Sequence, residues 1–205
     1  MSDVMIVTSM KTEVEAKFLS VDLDGVRAKL NNLGAVCKQP MRLMSRVTID
    51  NAAMKAKDAF LRVRDEGHKV TMTYKQFDEL SVSGAKEIEV VVGDFEDTVE
   101  LLKQVGLPYR SFQESKRETW ELGDIEIMLD EWPWLDPYVE VEADSEAKVK
   151  ETAAKLGFGW KDAVFGDVMA AYRVQYPHLN EKDTVGNIEQ VKFDQPLPDL
   201  LKPQA

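Results

Sequence analysis

One cysteine, Cys37, stands in 205 residues, so an internal disulfide and a cysteine-built metal centre are both excluded, and a reducing compartment is the default. Two histidines, His68 and His178, have no partner at metal-ligand spacing and read as surface residues. Basic residues are in deficit, 26 against 37 acidic ones, for a formal net charge of −11. That balance argues against coating nucleic acid or an anionic membrane, and neither a basic stripe nor an aromatic stacking platform is present. No stretch approaches the roughly 18 apolar residues of a membrane span, and the opening MSDVMIVTSMKTEVEAKF lacks a basic segment followed by an apolar run. The expected location is the cytoplasm. Repeats and low-complexity blocks are also missing.

What is present is a hydrophobic fraction of 44%, enough for a sizeable core in one domain. Period-two alternation, the strand signal, marks residues 12–20, 42–50, 59–66, 69–77, 85–93, 112–122, 124–131 and 137–143. Glu66-Gly67-His68 fits a hairpin turn between two of these runs. Helical spacing marks 24–33 before Gly34, 95–105 after the cap Asp94 and before Gly106, 146–156 after Asp144-Ser145, and 164–176. Cys37 reads as a small buried apolar group, and Trp132 and Trp134 as part of a packed inter-strand loop. Beyond Pro177 the chain turns polar and contains Pro196, Pro198 and Pro203, so the expected organisation is one domain over 1–176 and a tail over 177–205.

The strands sort their side chains by parity. One parity carries Glu13, Glu15 and Lys17; Arg46, Thr48 and Asp50; Arg62 and Arg64; Thr71, Thr73 and Lys75; Glu87 and Glu89; Arg117 and Thr119; Glu126, Met128 and Asp130; Glu140 and Glu142. The other carries Val47, Ile49, Leu61, Val63, Ile88, Val90, Ile125, Ile127, Leu129, Val139 and Val141. Successive strand side chains point to opposite faces, so the two sets segregate. A solvated outer face usually mixes signs within a strand, whereas here bases cluster in some strands and acids in others. About eight strands suffice to close a barrel, and helices can cover only an apolar face. With the helices outside, the charged face becomes a lumen. Six bases (Lys17, Arg46, Arg62, Arg64, Lys75, Arg117) would meet seven acids (Glu13, Glu15, Glu87, Glu89, Asp130, Glu140, Glu142) there. Such density needs partners, and divalent cations on the acids would turn the lumen positive, ready for a polyanion.

Glu13-Val14-Glu15-Ala16-Lys17 resembles the ExExK signature that opens the CYTH domain of the triphosphate tunnel metalloenzymes. It is followed in order by Leu61-Arg62-Val63-Arg64, Tyr74-Lys75, Lys86-Glu87-Ile88-Glu89, Lys116-Arg117, Asp130 and Val139-Glu140-Val141-Glu142, a set covering about 12–176. The stretch from Gly84 to Ala143 looks most like members labelled class IV adenylate cyclases. The resemblance implies an α+β fold, an eight-stranded antiparallel β-barrel tunnel with a charged lumen and helices packed outside. It makes Glu13, Glu15, Asp130, Glu140 and Glu142 the acids that hold Mg²⁺ or Mn²⁺. Lys17, Arg46, Arg62, Arg64, Lys75 and Arg117 become phosphate ligands, with Glu87 and Glu89 orienting them, and Glu13, Glu15, Lys17 and Lys75 the catalytic set. Ser115 departs from the lysine many members carry two places before Arg117, and Lys116 has the wrong parity to replace it unless the strand bulges. Thr48-Ile49-Asp50 departs from the usual aromatic-Asp.

Phosphoryl transfer asks mainly for positioning and charge neutralisation, which a cage of Arg, Lys and metal supplies. The expected function is therefore a metal-dependent triphosphatase acting on inorganic tripolyphosphate or nucleoside triphosphates. The alternatives are a class IV adenylate cyclase, converting ATP to cyclic AMP and pyrophosphate, and a tunnel that binds polyphosphate or a nucleotide without turnover. The partner expected is a small-molecule triphosphate, with no nucleic acid and no membrane; a homodimer is allowed.

Overall fold

The first strand does two jobs in the computed structural model, which describes residues 10–78 and 81–203. Its two halves, β1 (Lys11–Thr12) and β2 (Val14–Leu19), part at Glu13 and pair with opposite ends of one sheet. The other strands are β3 (Val36–Ile49), β4 (Ala59–Asp65), β5 (Val70–Phe77), β6 (Ala85–Val92), β7 (Ser111–Leu122), β8 (Ile125–Trp132), β9 (Leu135–Ala143) and β10 (Gln190–Val191). The order β1-β6-β5-β4-β3-β7-β8-β9-β2 leads from one half of the first strand to the other, so the sheet nearly closes on itself. Every pairing on that path is antiparallel, and β10 adds to β7 in parallel. Along the seam, the Glu13 N–H donates to the Ala85 carbonyl at 3.0 Å and the Glu15 N–H to that of Val82 at 2.9 Å. The expected eight-stranded tunnel is thus present; the count rises only because the first strand splits and β10 joins from outside.

The apolar parity faces outward and receives α1 (Leu23–Asn32), α3 (Phe95–Gln104) and α4 (Glu146–Lys155), while the short α2 (Ala52–Lys55) buries none of its residues and α5 (Val168–Gln175) packs instead on Trp132 and Tyr138. Ala16, Phe18, Ile127, Leu129, Val139 and Val141 pack beneath Val26 and Leu30 of α1 and Val149 and Ala153 of α4. Val47, Ile49 and Val63 lie beneath Leu102 of α3. Burying one such Leu or Val side chain contributes about 1.5–3 kcal/mol. The core therefore lies around the barrel, and the lumen is left to charge. Gly67, at φ +84°, makes the hairpin between β4 and β5, where a side chain would be strained.

Three sequence readings need correction. The strand placed at 42–50 begins at Val36, and its first residues pair with β7 alone, because β4 joins only from Ser45. Val36, Cys37 and Lys38 at the start of that ribbon are exposed, so Cys37 is not buried. The final helix begins at Val168, not at 164: Val164 bridges to Lys17, and Asp167 caps the helix by accepting from the Met169 N–H. Residues 177–203 lie on the body, with Leu179, Val185, Val191 and Leu201 buried against Trp132, Tyr138 and Tyr172. Among the described residues no helix is long and apolar enough to cross a membrane.

Candidate functional site

Strand alternation delivers the charged parity into one lumen of about 1220 Å³. Glu13, Glu15, Lys17, Arg46, Arg62, Arg64, Lys75, Glu87, Glu89, Arg117, Glu140 and Glu142 all line it. Asp130 lies behind them, 1% exposed, with both oxygens engaged by Arg117.

The charges fall into three groups. In the first, carboxylate oxygens of Glu13, Glu15 and Glu142 lie within 4.8 Å of one another. These are hard oxygen donors in a tight set, and their mutual repulsion is what a hard divalent cation relieves; the residues fit Mg²⁺ or Mn²⁺. Burial, and then the Glu140 charge, push the Glu15 carboxyl up to about 7 against the pull of Lys17 and Lys75. Glu87 is likewise pushed up to about 7, first by burial and then by the charge of Glu13.

The second group is a buried clamp. Lys17 Nζ sits 2.5 Å from Glu140 and 2.9 Å from Glu15, and donates to the Gly166 carbonyl at 2.7 Å. Arg117 donates from Nε and Nη2 to the two oxygens of Asp130, each at 2.7 Å, and from Nη2 to Glu140 at 2.8 Å. A planar fork matched to a carboxylate in this way is among the stronger pairings available. Burial works to raise the Glu140 pKa, but Lys17 and Arg117 outweigh it and hold the group below the usual carboxylate range.

The third group is less satisfied. Arg46 meets no carboxylate within ion-pair distance among the described residues; its Nε donates to Gln113 at 2.8 Å and its guanidinium lies over the Trp132 ring, 4.2 Å from the centroid. Burial, and then neighbouring Arg62, push its pKa down to about 9. Arg62 reaches Thr73 at 3.1 Å and Glu89 at 3.6 Å, and Arg64 reaches Glu66 at 2.5 Å, but the buried Nε of each has no hydrogen-bond partner. Unmade buried donors are costly, so these point to a missing acceptor. Lys75 contacts Glu13 and stands 3.9 Å from Glu15.

Sequence reading missed Arg42, Phe60, Arg110 and Gln113, all of which line the lumen. Arg42, Phe60 and Gln113 share parity with Arg46, Arg62 and Arg117, a signal that was there to be extended. Arg110 lies in the connection before β7, where no period applies. Ser115 faces the lumen and Lys116 pairs at 3.2 Å with Glu131; β7 and β8 stay in regular register, so no bulge turns Lys116 inward.

A nearly closed antiparallel barrel with helices outside and an acid-and-base lumen defines a tunnel protein. The CYTH domain model matches residues 11–161, and the chain belongs to that family. No curated protein matches the chain. Among solved structures, a Pyrococcus horikoshii protein is similar at 22% identity and TM-score 0.63, over 74% of this chain and 93% of that one. A candidate adenylate cyclase from Vibrio parahaemolyticus aligns at 13% identity and TM-score 0.67, over 78% and 97%. A candidate adenylyl cyclase from Hippeastrum, described as having a dominant triphosphatase activity, aligns at 15% identity and TM-score 0.53, over 80% and 96%. At these identities the likeness is one of fold.

Proposed function

We propose that this chain is a divalent-metal-dependent enzyme that processes a small-molecule triphosphate in its lumen, hydrolysing inorganic tripolyphosphate or nucleoside triphosphates. The observation that carries the reading is the third group of charges. Arg46, without a carboxylate partner among the described residues, and Arg62 and Arg64, with unmade Nε donors, share one lumen with three clustered carboxylates.

Arg46, Arg62, Arg64 and Arg117, with Lys17 and Lys75, take the phosphate oxygens, the guanidinium forks pairing two at a time. Glu87 and Glu89 orient the basic side chains. Glu13, Glu15 and Glu142 hold the cation. Glu140 and Asp130, which the family resemblance adds to the metal side, keep Lys17 and Arg117 aimed at the lumen. A bound Mg²⁺ or Mn²⁺ supplies charge neutralisation and a water of lowered pKa. The oxygen of water joins the terminal phosphorus as a proton is released, the bridging P–O bond breaks, and orthophosphate leaves with diphosphate from tripolyphosphate or with the nucleoside diphosphate from a nucleoside triphosphate.

One observation favours cyclisation as a second reading. Phe60 lines the lumen beside Arg62, with the Phe77 ring 6.5 Å from its own, and gives a purine an aromatic face. Attack by the ribose 3′-hydroxyl on the α-phosphorus would then release pyrophosphate.

The test measures phosphate, pyrophosphate and cyclic AMP from tripolyphosphate and ATP, with Mg²⁺ and with Mn²⁺. The expected result is a tripolyphosphate kcat/KM at least equal to that for ATP, phosphate as the main product, and no turnover in EDTA. Equal cyclic AMP and pyrophosphate from ATP, with tripolyphosphate inert, would establish the second reading instead. Tight binding of both without products would leave a binding module.

A further inference from the structure

Of the six bases that strand parity turns inward, all but Arg46 meet a carboxylate. Lys17 pairs with Glu15 and Glu140, Arg62 with Glu89, Arg64 with Glu66, Lys75 with Glu13, and Arg117 with Asp130 and Glu140. Arg46 meets none among the described residues, and what holds it is neutral. The β3–β7 register sets Gln113 directly opposite Arg46, and Gln113 Oε1 accepts from Arg46 Nε at 2.8 Å. Trp132, at the end of β8, puts its ring against the guanidinium, whose central carbon lies 4.2 Å from the ring centroid.

Neither contact is loose. Gln113 is 2% exposed, and its amide can lie only one way round, because arginine donates and cannot accept, so the oxygen must face Arg46. The other side of the amide agrees. Ser111 Oγ gives its proton to the Ile188 carbonyl at 2.6 Å and therefore accepts from Gln113 Nε2 at 3.2 Å. Trp132 is buried in the cluster that holds Tyr138, Val168 and Tyr172. One edge and one face of the Arg46 guanidinium are thereby fixed, and its two terminal nitrogens make no hydrogen bond among the described residues. A carboxylate at position 113 would hold the arginine at least as firmly, but it would also cancel the charge. A neutral acceptor and an aromatic face orient the guanidinium and cancel none of it.

We propose that Gln113 and Trp132 are positioning residues for Arg46, forming a neutral cradle that aims the guanidinium while leaving its full charge for the anion in the lumen. This rests on the triphosphate reading above and adds the residues that act through one of its ligands. Two consequences separate the cradle from ordinary packing. The neutrality of residue 113 matters as much as its hydrogen bond, so a charged isostere is harmful although it keeps the bond. Both residues also lose their effect on binding once Arg46 itself is gone.

Calorimetric titration of the full chain with tripolyphosphate, Mg²⁺ present, tests this in a double-mutant cycle. Gln113→Glu, which keeps shape and acceptor but adds a charge, should weaken binding about tenfold. Gln113→Met, which removes the acceptor, should weaken it several-fold. Trp132→Leu should do the same, and Trp132→Phe, which keeps an aromatic face, should restore most of the loss. In an Arg46→Met background, Gln113→Met and Trp132→Leu should weaken binding no further. If the Trp132 variants fail to fold, the Gln113 variants and their cycle with Arg46 decide. Gln113→Glu binding as tightly as wild type would overturn the cradle while leaving the triphosphate reading intact. So would a loss on Gln113→Met that is equally large with and without Arg46. Failure of tripolyphosphate to bind the wild-type chain would overturn both.

Discussion

The side of the barrel built by β2, β7, β8 and β9 and the side built by β3 to β6 both turn charge inward, and they hold it differently. On the first side Lys17 and Arg117 are locked to Glu15, Glu140 and Asp130 at 2.5–2.9 Å. On the second, Arg46 has no acidic partner among the described residues, Arg62 stands 3.6 Å from Glu89, and Arg62 and Arg64 keep unmade Nε donors. The contrast separates two uses of one residue type. Charges that neutralise each other fix the lumen's shape, and charges left over mark where a further anion is still needed. Buried pairs add little net stability, yet removing one partner strands the other.

Mutating each side separates these roles, and the largest effect belongs to the clamp. Arg117→Met keeps bulk but leaves Asp130 and Glu140 buried without their cation, and should cost about 3–5 kcal/mol in denaturant unfolding. If it were neutral, the clamp would not hold the lumen together. Next comes Glu15→Gln, which keeps shape and removes one donor of the carboxylate cluster. Its kcat should fall about 100-fold or more, about 2.7 kcal/mol, with the unfolding midpoint preserved. Smaller again, Arg46→Met strands no carboxylate and leaves only the buried Gln113 Oε1 without its donor, so it should cost about 1–3 kcal/mol in stability, less than Arg117→Met, while raising the KM for tripolyphosphate about tenfold. A large stability loss there would erase the distinction between the two sides.

The smallest effect is one of pH. Glu15 and Glu87 both titrate near 7 in the folded chain, above an ordinary glutamate at about 4.3. Between those limits the folded chain binds protons that the unfolded chain has released. The stability from this source is complete below the lower limit and is lost as pH rises through 7. Metal-free protein should therefore melt a few degrees lower at about pH 8 than at about pH 5.5. Saturating Mg²⁺ should shrink the gap by supplying the charge that the protons supplied.

Much of the lumen was legible because strand parity is a local property. Glu13, Glu15, Lys17, Arg62, Arg64, Lys75 and Glu142 sort inward on alternation alone, and the structure brings them together. Pairing is not local. Asp130 has the inward parity of a site acid, but the β7–β8 register sets it opposite Arg117, which takes both of its oxygens. Arg42 keeps the inward parity of Arg46, so alternation does reach it; the register shift lies before it, between Gln39 and Arg42. Past Pro177 the polar composition gave no period, and the few apolar residues that dock there, Val185, Val191 and Leu201, are too widely spaced to announce a contact.

The account turns on where metal and triphosphate meet, and anomalous scattering at the manganese edge tests it most directly. Crystals of the full chain with Mn²⁺ and tripolyphosphate should show a manganese peak within coordination distance of Glu13, Glu15 and Glu142. Phosphate oxygens should reach from that peak to Arg46, Arg62 and Arg64. Manganese bound only outside the barrel, with the phosphate chain absent from the lumen, would contradict it.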